Sequence, residues 1–182
     1  FGPATANIAS RLGGGVSQIS CSNGGAANGL TEGQFVRLID ASGSIKNYVL
    51  TDTADGGVAT GVVITAASDI GDATAGATAG CPTENAVAFA INKSSATQHA
   101  ALTQLKAAIE HANGHNGSII CGTIPTEADG MQAFTISQLH SGSDGNTPLT
   151  ESCATFTLKP GNAFAGGKVS FQLKTIADGS IM

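Results

Sequence analysis

The chain has 182 residues, enough for one domain, or one domain with an extended arm, and enough to bury a core without disulfides or metals. Charged residues make up 12% and aromatics 4%, with no Trp, against about 25% charged in ordinary domains; so sparse a charge favours a surface covered by neighbouring subunits over the Gly/Ser/Thr surface of an extracellular β protein. Net charge is −5 and the 8 basic residues are scattered singly, which argues against a groove for nucleic acid, and no apolar run of about 18 residues exists to span a membrane.

Residues 1–33 are rich in Gly, Ala, Ser and Asn, with spaced apolar anchors only at Ile8, Leu12, Val16 and Ile19. Such a stretch cannot build a core alone, so an extended N-terminal arm is expected there. The chain opens on Phe1-Gly-Pro3 without an initiator Met or a signal-peptide pattern, leaving a processed start and a longer precursor as alternatives. From Gln34 to Thr53 a hairpin is predicted. Val36 and Leu38 share one face, Asp40-Ala-Ser-Gly43 turns, and Tyr48 and Leu50 share a face opposite Asn47 and Val49.

Residues 54–83 are Ala/Gly/Thr/Asp-rich, with a short β-like run at Gly61–Thr65 and a poor helix signal. They read as a long insertion in the compact domain. Ala86–Ile91 alternates small and large, which predicts a strand with Val87, Phe89 and Ile91 inward and the alanines packed on the other face. A helix is expected over about 96–112, capped by Ser95 with Gln98 completing a capping box, and stopped by Asn113-Gly114. Leu102, Leu105, Ile109 and Ala112 form its apolar stripe. Strands follow near 118–124 and 131–139, the latter with Phe134 and Ile136 set against Gln132, Thr135 and Ser137. Two more are expected at 153–158, with Ala154, Phe156 and Leu158 inward, and at 168–174; residues 175–182 read as a C-terminal tail. The expected fold is therefore α+β: mainly antiparallel sheet or sandwich, one packed helix, arms at both ends, and a single compact domain over 34–174.

Catalytic and metal patterns fail on spacing. No G-x-S-x-G elbow accompanies the serines. His111 and His115 are separated by a helix-breaking Gly114, so they read as helix-end residues rather than ligands, and His99 and His140 as surface or packing residues. Asp52, Asp55, Asp69 and Asp72 lack EF-hand spacing, and Asp52-Thr-Ala-Asp55-Gly-Gly57 suits a turn better. Cys21, Cys81, Cys121 and Cys153 contain no C-x-x-C pair; three disulfide pairings are possible, with buried thiols the default. No catalytic, cofactor-binding or metal residues are assigned, and no cofactor is expected.

The order of pieces is more informative. Phe35–Asp40 and Lys46–Asp52 form an opening hairpin, Ala101–Gly114 an Ala-rich helix ending in Asn-Gly, and Gly145-Asn-Thr147 a turn, with Phe164-Ala-Gly-Gly167 at the close. Over residues 34–167 this order resembles the small α+β module of tailed-phage virion proteins, most often from marine and environmental phages. The resemblance implies a non-enzymatic structural protein of the virion, present in many copies. Its implied partners are itself and other virion proteins, such as the major capsid or tail proteins. A decoration or cement protein of the head is the expected role; a tail tube, fibre or adhesin subunit and a secreted or cell-surface carbohydrate-binding protein are the alternatives.

Overall fold

A computed structural model describes residues 16–21, 30–124, 132–140, 142–153, 156–159 and 162–167. The fold is α+β. One sheet comprises β1 (Val16–Cys21), β5 (Ile119–Cys121), β6 (Gln132–Gln138) and β8 (Phe156–Lys159), in the order β5-β6-β1-β8 and antiparallel throughout. The second comprises β2 (Phe35–Ile39), β3 (Ile45–Asp52), β4 (Ala86–Ile91) and β7 (Thr150–Glu151), in the order β4-β3-β2-β7. Here β3 and β4 run parallel, with Tyr48 opposite Val87 and Leu50 opposite Phe89, a departure from the antiparallel expectation. The predicted strand over 168–174 and the 175–182 tail lie outside the described residues.

The hairpin forms as its alternation requires, with Val36, Leu38, Tyr48 and Leu50 buried on one face. Asn47 and Val49, on the other face, are also buried. The reason is the segment from 53 to 85. Parallel neighbours need a long crossover, and this segment supplies it. It contains two 3₁₀ turns, Thr53–Asp55 and Ala67–Ile70, and a short helix α1 (Ala73–Ala79) that sequence propensity did not predict. Asp72 nucleates α1 by accepting hydrogen bonds from the Thr74 and Ala75 amides at 2.8 and 3.3 Å. Ile64 and Ile70 then pack with Val49, Ala86 and Ala88 in a second small core. The β-like run at 61–65 forms an isolated bridge rather than a strand. Its Gly61 and Ile64 amides donate to the Ala88 and Ala86 carbonyls at 2.9 and 3.0 Å, closing the outer edge of β4.

The main core lies between the sheets and the long helix α2 (Gln98–Glu110). Val87, Phe89 and Ile91 enter it, as the large–small alternation predicts, and Phe89 stacks on Phe156 of the other sheet with ring centroids 6.2 Å apart. The α2 stripe holds at Leu102, Leu105 and Ile109, joined by Ala101 and Ala108. The cap is Thr97, whose hydroxyl accepts from the Ala100 amide at 3.2 Å, and not Ser95. Asn92 explains the shift, because its side chain accepts from Ser94 and forms a separate turn before the helix. The helix ends at Glu110, so Ala112 falls outside the stripe and is exposed.

Two further expectations are corrected. Residues 16–21, assigned to an arm, form a strand inside the first sheet, where Ile19 pairs with Phe134 on one side and Leu158 on the other. Little apolar surface of its own is needed once partner strands pair along both edges. Gln132, placed on the outer face by its polarity, shares the buried face of β6 with Phe134, Ile136 and Gln138, as period two demands. Of the predicted 153–158 strand, Phe156 and Leu158 fall in β8 and Ala154 lies outside the described residues; β7 precedes it.

Gly33 shows how tightly the crossover packs. It has φ +82, and an added Cβ would lie 2.5 Å from the Cα of Gly76 in α1. Gly43, at φ +85, has open space around it. Gly43→Ala is expected to cost about 1–2 kcal/mol for the backbone alone, and Gly33→Ala at least about 1 kcal/mol more, on the scale of an overpacked site. Urea denaturation of the two variants checks this, and equal losses would mean that the crossover does not bear on the sheet.

Candidate functional site

Four polar features stand out from the apolar framework. The first joins the two sheets and the Gly145-Asn-Thr147 loop. Gln138 on β6 is buried, and its side-chain oxygen accepts from the Ala41 amide at 3.0 Å. Its amide nitrogen donates to the Ile39 carbonyl at 2.9 Å and to the Thr147 hydroxyl at 3.0 Å. The Thr147 hydroxyl donates in turn to the same Ile39 carbonyl. Next to it, Asn146 clamps the end of the motif: the Gly167 amide donates to its side-chain oxygen at 3.0 Å, and its nitrogen donates to the Gly167 carbonyl at 3.1 Å. An added Cβ at Gly167 would lie 2.2 Å from the Gly142 carbonyl, which accounts for the glycine. The Phe164 amide donates to the Thr147 carbonyl at 2.9 Å, and the Phe164 side chain is buried. The sequence reading of this loop as a turn was right, but its side chains also lock the sheets together.

The second feature is a buried Tyr48–His115 pair. Tyr48 Oη lies 2.6 Å from His115 Nδ1 and accepts from the His115 amide at 3.1 Å, while His115 Nε2 lies 3.3 Å from the Ser44 carbonyl. One tautomer satisfies these contacts: Nε2–H donates to Ser44 and Nδ1 accepts from the tyrosine hydroxyl. Burial pushes the His115 imidazolium pKa down, outweighing the Ser44 hydrogen bond and the charge of Asp40. Burial likewise pushes the Tyr48 phenol up. Burial would raise the Asp40 pKa, but hydrogen bonds from Ser42, Ser118 and Ser44 outweigh it and hold the carboxyl below its ordinary value. His115 is thus a core residue and not a solvated helix end, because the chain after Glu110 folds back and the His115 amide caps Ile109 at 2.9 Å. His111 is exposed, its Nδ1 accepting from the Asn113 amide at 3.1 Å.

The third is a carboxylate cluster. Glu32, Asp52 and Asp55 place oxygens within 4.8 Å of one another. Lys93 Nζ lies 2.6 and 2.7 Å from the two oxygens of the fully buried Glu32, and this hydrogen bond raises the Lys93 pKa. Asp52 is engaged as well, accepting from the Ala54 and Lys93 amides at 2.9 and 3.2 Å. A lysine ammonium therefore occupies the cationic place in the cluster, and the expected turn at Asp52–Gly57 forms around it with Gly56 at φ +85. Asp69 and Asp72 serve elsewhere, one holding the Thr65 and Ala66 amides and the other capping α1. Glu32 escaped sequence reasoning because it lay in the presumed arm.

The fourth feature is a pair of clefts. One, of about 320 Å³, lies between α2 and β5 and is lined by His99, Thr103, Lys106 and Cys121 among others. His99 Nδ1 is buried there without a hydrogen-bond partner among the described residues. Burial pushes the Cys121 thiol up to about 12, so it stays protonated and is a poor nucleophile. The other, of about 520 Å³, opens on the outer face of β2 and β3 around Arg37 and Asn47. Cys81, Cys121 and Cys153 are thiols and not disulfides. Among the described residues no helix is long and apolar enough to cross a membrane.

Comparison with protein-family models, with curated proteins and with solved structures gives no match.

Two predictions follow from the polar features. The folded-state pKa of His115 is below its unfolded value near 6.5, so the unfolded chain binds the extra proton first. The stability this contributes is full above that pH and is lost as the pH falls below it. Urea melts from pH 8 to pH 5 should show this slope, and His115→Gln should remove that share of it while lowering stability at pH 8. Gln138→Ala, which leaves buried partners unsatisfied, should cost at least about 2 kcal/mol, whereas Asn146→Ala, at an exposed residue, should cost about 1 kcal/mol. Denaturation midpoints separate the two.

Proposed function

We propose that this chain is a non-enzymatic structural protein of a tailed-phage virion, assembling in many copies and serving as a decoration or cement protein of the head. One observation carries the reading. The Gly145-Asn-Thr147 loop and the Phe164-Ala-Gly-Gly167 stretch, which bear the resemblance, are bonded to each other and to the node between the sheets. Their polar groups are spent on holding the fold, as befits a scaffold module and not a reactive loop. The sparse charge, 12% of residues, supports the same reading, because surfaces covered by neighbours gain little from charge. The mechanism is additive: modest contacts repeated over a shell give large collective stability through effective concentration.

Particles assembled without this protein are expected to lose infectivity or genome on heating or osmotic shock at least about tenfold more readily than complete ones, as loss of repeated linkages implies. Unchanged robustness would remove the cementing role. Gold labelling of intact particles, viewed by electron microscopy, should decorate the head; label confined to the tail would instead favour a tube or fibre subunit.

A further inference from the structure

The cleft on the outer face of β2 and β3 is built around one arginine. Arg37 faces Asn47 across the β2–β3 ladder, and its Nε–H donates to Asn47 Oδ1 at 2.7 Å. Asn47 is buried, and its orientation is set by Glu84, to whose carbonyl its nitrogen donates at 2.8 Å. The guanidinium also lies over the Phe35 ring, 5.7 Å from its centroid. Two independent contacts thus hold the guanidinium in place, and the Nε bond leaves both terminal amino groups unspent. Among the described residues the Arg37 side chain has no ion pair and no other hydrogen bond. The cleft it lines measures about 520 Å³, and the side chains of Thr83 and Asn85, also on its wall, make no hydrogen bond among the described residues.

We propose that this cleft binds a carboxylate, gripped in bidentate fashion by the two terminal amino groups of Arg37, with Thr83 and Asn85 as further donors. A planar fork matches a planar carboxylate, and holding the fork in advance reduces the entropy lost on binding. Phosphate fits less well. Glu84 lies on the same wall, so Arg37 and Glu84 together carry no net charge, and that carboxylate repels a dianion about twice as strongly as a monoanion at the same distance. Phosphate sites instead gather several cations or the amides of a helix N-terminus. The carboxylate comes either from a small free acid or from an acidic side chain of another protein molecule. The site stands on the cleft alone and does not depend on the virion reading.

The test is an NMR titration of the full-length ¹⁵N-labelled protein, following the Arg37 Nε–H and the Asn85 side-chain amide. The probes are acetate, the blocked tripeptide acetyl-Gly-Glu-Gly-amide and inorganic phosphate, at constant ionic strength. Saturable shifts are expected with acetate or the tripeptide below about 100 mM, a weak but specific range, and phosphate should bind less tightly than either. Arg37→Gln should abolish saturation, and Arg37→Lys, which keeps the charge but loses the fork, should weaken binding about tenfold. Tighter binding of the tripeptide than of acetate would assign the site to acidic side chains, and equal binding to free acids. Failure of both carboxylates to saturate, an unchanged curve for Arg37→Gln, or phosphate binding as tightly as carboxylate would overturn the proposal.

Discussion

Placing β4 parallel to β3 obliges the chain to travel back to the start of the strand before it can pair, and most of the architecture depends on that requirement. The crossover over 53–85 meets it. In passing, it covers the outer face of β4 and the adjoining part of β3, closes the edge of β4, and buries Val49, Ala86 and Ala88 against Ile64 and Ile70. With both faces covered, β4 is buried at every position. Its alternation of alanine with larger residues then makes sense: small side chains admit the crossover and large ones fill the main core.

A framework of this kind leaves its polar groups few places to go, and they are used as fasteners. Gln138 ties β6 to the turn after β2, Thr147 joins the same carbonyl, and Tyr48 holds His115 and so the chain leaving α2. Lys93 fastens the end of β4 to the Glu32 segment. Each is a buried or half-buried group whose loss would strand a partner, so a modest number of bonds specifies the arrangement of otherwise interchangeable apolar surfaces. The Gly145-Asn-Thr147 loop belongs with these fasteners. That gives a physical reason for the chain to retain such a loop, since its polar groups hold distant segments together.

Much of the local structure was legible in the chain. Period-two alternation marked β2, β3, β4 and β6 and sorted Val87, Phe89 and Ile91 from the alanines; the 3-4 spacing of Leu102, Leu105 and Ile109 marked α2. The polar features were less so. Arg37 and Asn47 are ten residues apart and appear as ordinary strand positions until the ladder sets them opposite each other. Glu32 and Lys93 are sixty-one apart. His115 looked like a solvated residue beyond a helix end because nothing local announces that the chain turns back onto Tyr48.

By itself, then, the sequence determined the class of fold, the main helix and the inward faces of the central strands, since these follow from side-chain periodicity within a few residues. Tertiary structure alone decided that β3 and β4 run parallel, that residues 16–21 form an internal strand and that 53–85 is a crossover instead of an insertion. It also decided that Asn146 meets Gly167 and that Arg37 meets Asn47. Those are pairings between distant segments. Their free energy comes from burial and hydrogen bonds that exist only after the chain has closed the intervening loops, so no local pattern encodes them.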